Sequence, residues 1–212
     1  MIEYFINADL VLKSGLHIGS GKSSGVTDDP VRRCGDGRLL IPGRAIAGSL
    51  RTTATRLAPR LFGDEGICQA LLPAKKQQQD KPCNCVVCRL FGDVHPVEQS
   101  TGESDKWDPA HPSQLWVYDA FAPANSHTFV RDGVGIQRQT GHAAENIKFD
   151  YEVVPRSAKF KLSMRLAYQL GAKEDTPIPD TTTEEKVTQL LVAALAEWVA
   201  GRGQLGGNVS RG

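Results

Sequence analysis

Phe160-Lys161-Leu162-Ser163-Met164-Arg165-Leu166-Ala167-Tyr168 is the stretch that decides the fold. Its large apolar side chains fall on every second residue, with Lys161, Ser163, Arg165 and Ala167 between them, so one face is made for a core and the other for a more polar setting. That is a strand. Ile2, Tyr4, Ile6, Ala8, Leu10 and Leu12 repeat the period of two near the start and predict a second strand with one apolar face. Leu115–Ala120 reads as a third, in the same core sheet as 160–168, and Leu39–Ile41 as a short fourth.

Elsewhere the period lengthens to that of a helix. Behind Pro42-Gly43, Ile46, Leu50, Ala54, Leu57 and Leu61 recur at spacings of three and four, so Arg44–Leu57 reads as an amphipathic helix with Pro59 near its end. Arg44 and Arg51 stand seven apart on nearly one side, with Ala47 and Gly48 between them, a face able to lie flat on phosphates. The last helix is marked by Thr182 three residues before Glu185, as in a capping box, and by the stripe Val187, Leu190, Leu191, Ala194, Leu195 and Trp198, which reads as core. Phe129–Pro155 is rich in Gly, Arg and Gln and alternates only at Phe149, Tyr151 and Val153, which fits a projecting hairpin. Phe62–Pro112 has no period and reads as an insertion that needs a staple of its own.

Length and composition bound the class. A chain of 212 residues with 40% apolar and 23% charged residues is an ordinary globular one, a single domain with large insertions rather than a disordered or fibrous chain. No run approaches the roughly 18 apolar residues that span a bilayer, and Met1–Leu10 lacks the basic and apolar parts of a secretory signal. The expectation is a cytoplasmic protein with no membrane partner. The net charge of +1 is unevenly spread: Val31–Arg60 holds Arg32, Arg33, Arg38, Arg44, Arg51, Arg56 and Arg60 against Asp36 alone, whereas Asp93–Asp119 is acidic. Such clustering favours a polyanionic partner, and its bland alternative is a solvated helix face.

Cys68, Cys83, Cys85 and Cys88 fall close together in a chain with no sign of secretion, so disulfides are disfavoured. The Cys83-x-Cys85-x-x-Cys88 knuckle lets thiolates converge on one tetrahedral ion, and Cys68 closes the set; a four-thiolate shell leaves no place for water, so the zinc would be structural. His95 is the reserve ligand, and Cys34 reads as a free buried cysteine. A zinc deaminase needs His-x-Glu and Pro-Cys-x-x-Cys, whereas His17 is followed by Ile18-Gly19 and Pro82-Cys83 by Asn84-Cys85. Cys85-Val86-Val87-Cys88 is equally poor as a redox pair, with two more cysteines crowding it and no strand before it.

Two further features carry chemistry. Asp28 and Asp29 follow the glycine-rich turn Ser14–Gly21 and precede the arginines, where a carboxylate can bind a divalent metal or orient a hydroxyl at a phosphate; the alternative is ordinary turn chemistry. Gly201–Gly212, with Arg202 and Arg211, has the composition of an anion cradle or of a flexible end.

Taken together these residues resemble the RAMP superfamily, and within it the backbone subunits of type III CRISPR effector complexes. The resemblance is carried by Leu16-His17-Ile18-Gly19-Ser20-Gly21, Thr27-Asp28-Asp29-Pro30-Val31, Leu40-Ile41-Pro42-Gly43-Arg44 leading into Gly48-Ser49-Leu50-Arg51, Cys88-Arg89-Leu90-Phe91-Gly92, Arg131–Gly141, Phe149-Asp150-x-Glu152-Val153-Val154-Pro155, and Leu205-Gly206-Gly207-x-x-Ser210-Arg211-Gly212. Their order along the chain is the specific part.

The resemblance implies an α+β fold of modified ferredoxin-like or RRM type: a palm, a hairpin thumb over 129–155, a zinc-stapled insertion over 62–112 and a glycine-rich RNA-binding loop over 201–212. It implies guide CRISPR RNA and complementary target RNA as ligands, and neighbouring RAMP subunits or fused domains and other effector-complex proteins as partners. His17, Arg44, Ser49, Arg51, Arg131, Arg138, Arg202, Gly206, Gly207, Ser210 and Arg211 are its RNA-contacting positions. Asp28, with Asp29 beside it, matches the aspartate that cuts target RNA by attack of a ribose 2′-hydroxyl, aided by Mg2+ or another divalent cation. Two departures stand out: Gln137 replaces an acid common among relatives, and the fold expects a strand after the glycine-rich loop, which suggests a segment of a larger fusion or completion by another chain. The alternatives are a backbone segment that binds RNA without cutting, a relative that trims guide precursor, and a zinc-stapled interaction module.

Overall fold

The computed structural model describes residues 2–21, 27–68, 83, 85–93, 112–168 and 181–206. Strand β1 (Ile2–Val11) leads through a laced loop to β2 (Leu40–Ile41) and α1 (Gly43–Phe62), which ends in a 3-10 turn, Gly63–Gly66. Then come α2 (Val86–Phe91), β3 (Leu115–Val117), β4 (Ala120–Phe121), β5 (Phe129–Ile136), β6 (Ala143–Val153), β7 (Lys159–Tyr168) and α3 (Thr181–Val199). One sheet runs β1-β7-β4-β2, with β3 also pairing β7; β5 and β6 form a second, two-stranded sheet. The chain is therefore α+β. His95 and the rest of residues 94–111 lie outside the described residues.

By contact density the chain forms two compact units, each drawing on three stretches of sequence. In the first (1–6, 47–117 and 164–203), β3 lies antiparallel to β7 with Leu115 opposite Leu166 and Val117 opposite Met164. Leu50, Ala54 and Ala58 of α1, Val87 and Leu90 of α2, and Val187, Leu190, Leu191 and Ala194 of α3 are buried here. Each fully buried leucine contributes about 1.5–3 kcal/mol. Three threonines of α1 return their hydroxyls to the carbonyl four residues back: Thr52 to Gly48, Thr53 to Ser49 and Thr55 to Arg51. The helix also continues through Pro59 to Phe62, five residues beyond the Leu57 at which the sequence reading ends it. The Thr182 cap falls on side chains outside the described set, and Leu195 and Trp198 are only half-buried.

The second unit (7–46, 118–163 and 204–212) holds Leu39, Ile41, Ile46, Ala120, Val153, Val154, Phe160 and Leu162 as buried side chains. The alternation of 160–168 is real in space: Phe160, Leu162, Met164, Leu166 and Tyr168 are all buried. That of β1 is not. The strand forms, but Ile2 and Tyr4 stay 44% and 52% exposed, because β1 ends the sheet order and has a described neighbour on one side only. The same position leaves Phe5 64% exposed.

Candidate functional site

Beyond β1 the chain is pinned residue by residue. Leu16 and Val154 exchange both backbone hydrogen bonds, Ser20 donates to Pro30 and Arg32 to Ile18, so 16–20 and 30–32 lie side by side. Asp29 then runs alongside Tyr151 of β6, its carbonyl accepting the Glu152 N–H at 3.0 Å. This places the loop after β1 against the base of the β5–β6 hairpin. Across the hairpin Phe129 faces Val153 and Arg131 faces Tyr151, with a register shift between Val134 and Ile136.

The two aspartates part company here. Asp28 makes a reciprocal clamp with Asp150: its N–H donates to Asp150 Oδ1 at 2.8 Å, and its Oδ2 accepts the Asp150 N–H at 3.0 Å. Asp28 is exposed. Asp29 instead takes its Oδ2 to His17 Nε2 at 2.9 Å, while His17 Nδ1 donates to the Glu152 carbonyl at 2.6 Å. Both ring nitrogens therefore face oxygens, one on each side of the ring. His17 is thus a strut and not a free base. Gly19 leaves room beside it, since a Cβ there would stand 2.7 Å from Asp29 Oδ1 and push that carboxylate aside.

Glu152 is a residue that sequence reasoning did not single out for a role. Its Oε2 accepts the Val31 N–H at 2.9 Å, and its Oε1 takes the Arg33 guanidinium at 2.5 Å and the Thr128 hydroxyl. Burial favours its neutral acid, yet Thr128, Val31 and Arg33 together outweigh burial and hold the carboxyl below its ordinary value of 4.5. A pKa lower in the folded than in the unfolded chain gives stability that is complete above the unfolded value and is lost as pH falls through the folded one. Glu152→Gln is therefore expected to lower stability at neutral pH by on the order of 1 kcal/mol and to flatten the acid limb below about pH 5. Melting temperatures across that range check this; an acid limb as steep as in the parent chain contradicts it.

The rings of Phe149 and Tyr151 stack at 6.2 Å, and His17 meets Tyr151 edge-on at 5.6 Å. Gly133 makes room for the first of these, since a Cβ there would fall 2.4 Å from the Phe149 ring. Gly206, at φ +85°, brings the glycine-rich segment within reach: a Cβ would lie 2.7 Å from the His17 carbonyl oxygen. His17, Asp28, Asp29 and Gly206 are therefore neighbours, together with the hairpin base. Arg131 and Arg138 are exposed on the hairpin, and Arg44 is exposed at the start of α1. Gln137 shapes the hairpin tip, its side-chain oxygen accepting the Thr140 hydroxyl at 3.0 Å. Gly207, Ser210 and Arg211 lie outside the described residues.

Arg51, Ser49 and Arg202, three more of the expected RNA-contacting positions, have these surroundings within the chain. Arg51 does not share an open face with Arg44; it is half-buried, with Nη1 on the Gly92 carbonyl at 2.8 Å and Nη2 on Cys88 Sγ at 3.3 Å. Ser49 is half-buried too. Arg202 grips Glu197 with two nitrogens, at 2.5 and 2.6 Å. Cys34 is not buried, and lies half-exposed in a tight turn where its thiol donates to Asp36 at 2.6 Å. That thiol, with the Arg38 N–H and guanidinium, holds Asp36 down to about 2.

In the first unit the sulfur atoms of Cys68, Cys83, Cys85 and Cys88 lie within 4.8 Å of one another, and all but Cys85 are buried. A tetrahedral zinc with bonds of about 2.3 Å sets its sulfurs about 3.8 Å apart, so the four side chains fit such an ion. The Cys88 N–H already donates to Cys85 Sγ at 3.4 Å, as a knuckle around a metal requires, and Asp93 fixes the Cys83 N–H at 2.9 Å. A hydrogen bond with Cys68 pushes the Cys85 thiol up to about 12, and hydrogen bonds with Cys68 and Cys85 push Cys88 up as well. Among the described residues no set of carboxylates converges in this way. Nor is any described helix long and apolar enough to cross a membrane.

A curated relative, the CRISPR system Cms endoribonuclease Csm3 of Methanothermobacter thermautotrophicus, is 31% identical over 104 residues, which is 47% of this chain and 37% of that protein. The matched part thus spans about a third of the relative's length. The sequence profile of the RAMP superfamily matches residues 9–212, from β1 through the laced loop, the hairpin and the glycine-rich end, and the chain belongs to that superfamily.

Proposed function

We propose that the chain is a backbone subunit of a type III CRISPR effector complex, which holds guide RNA and cuts the target RNA paired with it. The observation that carries this reading is the clamp between Asp28 and Asp150, which sets one exposed carboxylate at the foot of a projecting hairpin. The hairpin acts as the thumb that splays a nucleotide out of the duplex, and Phe149 and Tyr151 offer it aromatic surface. Arg44, Arg131 and Arg138 serve phosphates, and Gly206 lets backbone approach backbone. The cysteine site is a structural zinc centre, and the particle works in the cytoplasm with neighbouring RAMP subunits.

In the reaction the ribose 2′-oxygen attacks the adjacent phosphorus, the bond to the 5′-oxygen breaks, and the products are a 2′,3′-cyclic phosphate and a 5′-hydroxyl. Asp28 orients the attacking hydroxyl and accepts its proton, and the leaving oxygen takes a proton from water. A divalent cation is expected to assist. The described carboxylates form no cage for it. That same lack of a cage favours the second reading, a subunit that binds RNA and never cuts. Guide-directed cleavage separates the two: the assembled complex is incubated with guide, labelled target and Mg2+, with and without chelator. Cyclic-phosphate ends appearing only when guide matches target are expected; an intact target supports the second reading, and cleavage of guide precursor without target overturns the first.

A further inference from the structure

Arg51 looks from sequence like a phosphate ligand, and the structure points it inward. One guanidinium reaches two parts of the cysteine knuckle: Nη2 lies 3.3 Å from Cys88 Sγ, and Nη1 lies 2.8 Å from the carbonyl of Gly92, the residue that ends α2. Its Nε is buried without a hydrogen-bond partner among the described residues, so the side chain has given up water to be there. A cation at the C-terminal end of α2 is favourable in itself.

The charge balance makes the placement purposeful. Four thiolates around Zn2+ leave a net charge of −2, and Cys68, Cys83 and Cys88 are 5%, 6% and 0% exposed. Sulfur that carries such charge away from water needs N–H donors, and a cationic donor is the strongest kind. The Cys88 N–H serves Cys85, and the guanidinium serves Cys88 itself.

We infer that Arg51 is a positioning residue of the metal centre, which holds the Cys88 sulfur in place as a ligand and ties α1 to the knuckle. This rests on the reading of the four cysteines as a zinc site. Lysine keeps the charge but not the planar fork that spans two acceptors, and methionine keeps only the volume.

The test measures zinc affinity of the full chain by competition with a chromophoric chelator, and the sulfur-to-metal charge-transfer band after Co2+ substitution. Arg51→Met is expected to bind zinc about 10–100-fold more weakly and to shift the cobalt band, with Arg51→Lys falling between it and the parent. Parent-like zinc affinity and cobalt spectra in both variants overturn the inference. Should Arg51→Met fail to fold, Arg51→Lys decides alone: weaker binding supports the role and parent-like binding overturns it. A parent chain that takes up neither metal shows instead that the zinc reading is wrong, and the inference falls with it.

Discussion

Asp28→Asn is expected to slow guide-directed cleavage of target RNA by about 10²–10⁴-fold, the usual loss when one positioned acid–base group is removed. Asparagine keeps an oxygen able to accept the Asp150 N–H, so the clamp and the hairpin base survive while the charge is lost. Guide affinity should not fall, because the change removes an anion from beside a polyanion. Asp29→Asn gives the informative contrast. Its carboxylate hydrogen-bonds the His17 ring, so its loss loosens the strut and lowers the rate less than the Asp28 change does. Rates from single-turnover assays on matched complexes decide the matter. A rate for Asp28→Asn close to that of the parent, or a deeper loss in Asp29→Asn, removes Asp28 from the chemistry.

Removing zinc is expected to produce the largest loss of stability. Metal that binds only the folded chain stabilises it by about 4.1 kcal/mol when free zinc exceeds its dissociation constant a thousandfold. At about 2–4 °C per kcal/mol for a chain of this size, a strong chelator should lower the melting temperature by about 8–16 °C. Cys88→Ser should do the same without chelator, since Cys88 touches Cys68, Cys85 and Arg51. Cys34→Ser should keep its zinc, because its thiol serves Asp36 in the second unit. Metal content and calorimetry check both. A chain that purifies without zinc and melts alike with and without chelator contradicts the site.

Much of this was legible in the residues because the signals are local. The alternation of 160–168 survives folding because β7 has neighbours on both sides, and the knuckle spacing survives because thiolates three residues apart have few other ways to meet. The alternation of β1 reads the same on paper, yet its partners are a matter of sheet order, which no period reports. Helical spacing puts Arg44 and Arg51 near one side of α1 but says nothing of what lies on that side along its length. The knuckle meets Arg51, and Arg44 stays exposed. Glu152 and Asp150 escaped notice as working residues because their partners Val31, Arg33 and Asp28 stand more than a hundred positions away. Only the order of motifs along the chain, read through family resemblance, brought them near.

The central claim is that the loop after β1 and the base of the hairpin form the surface that carries RNA. Photocrosslinking of a guide RNA containing 4-thiouridine to the assembled complex, followed by peptide mapping, tests it most directly. Crosslinks at His17, Phe149 or Tyr151 are the expected result; crosslinks confined to the exposed face of α3, or none above background, would contradict it.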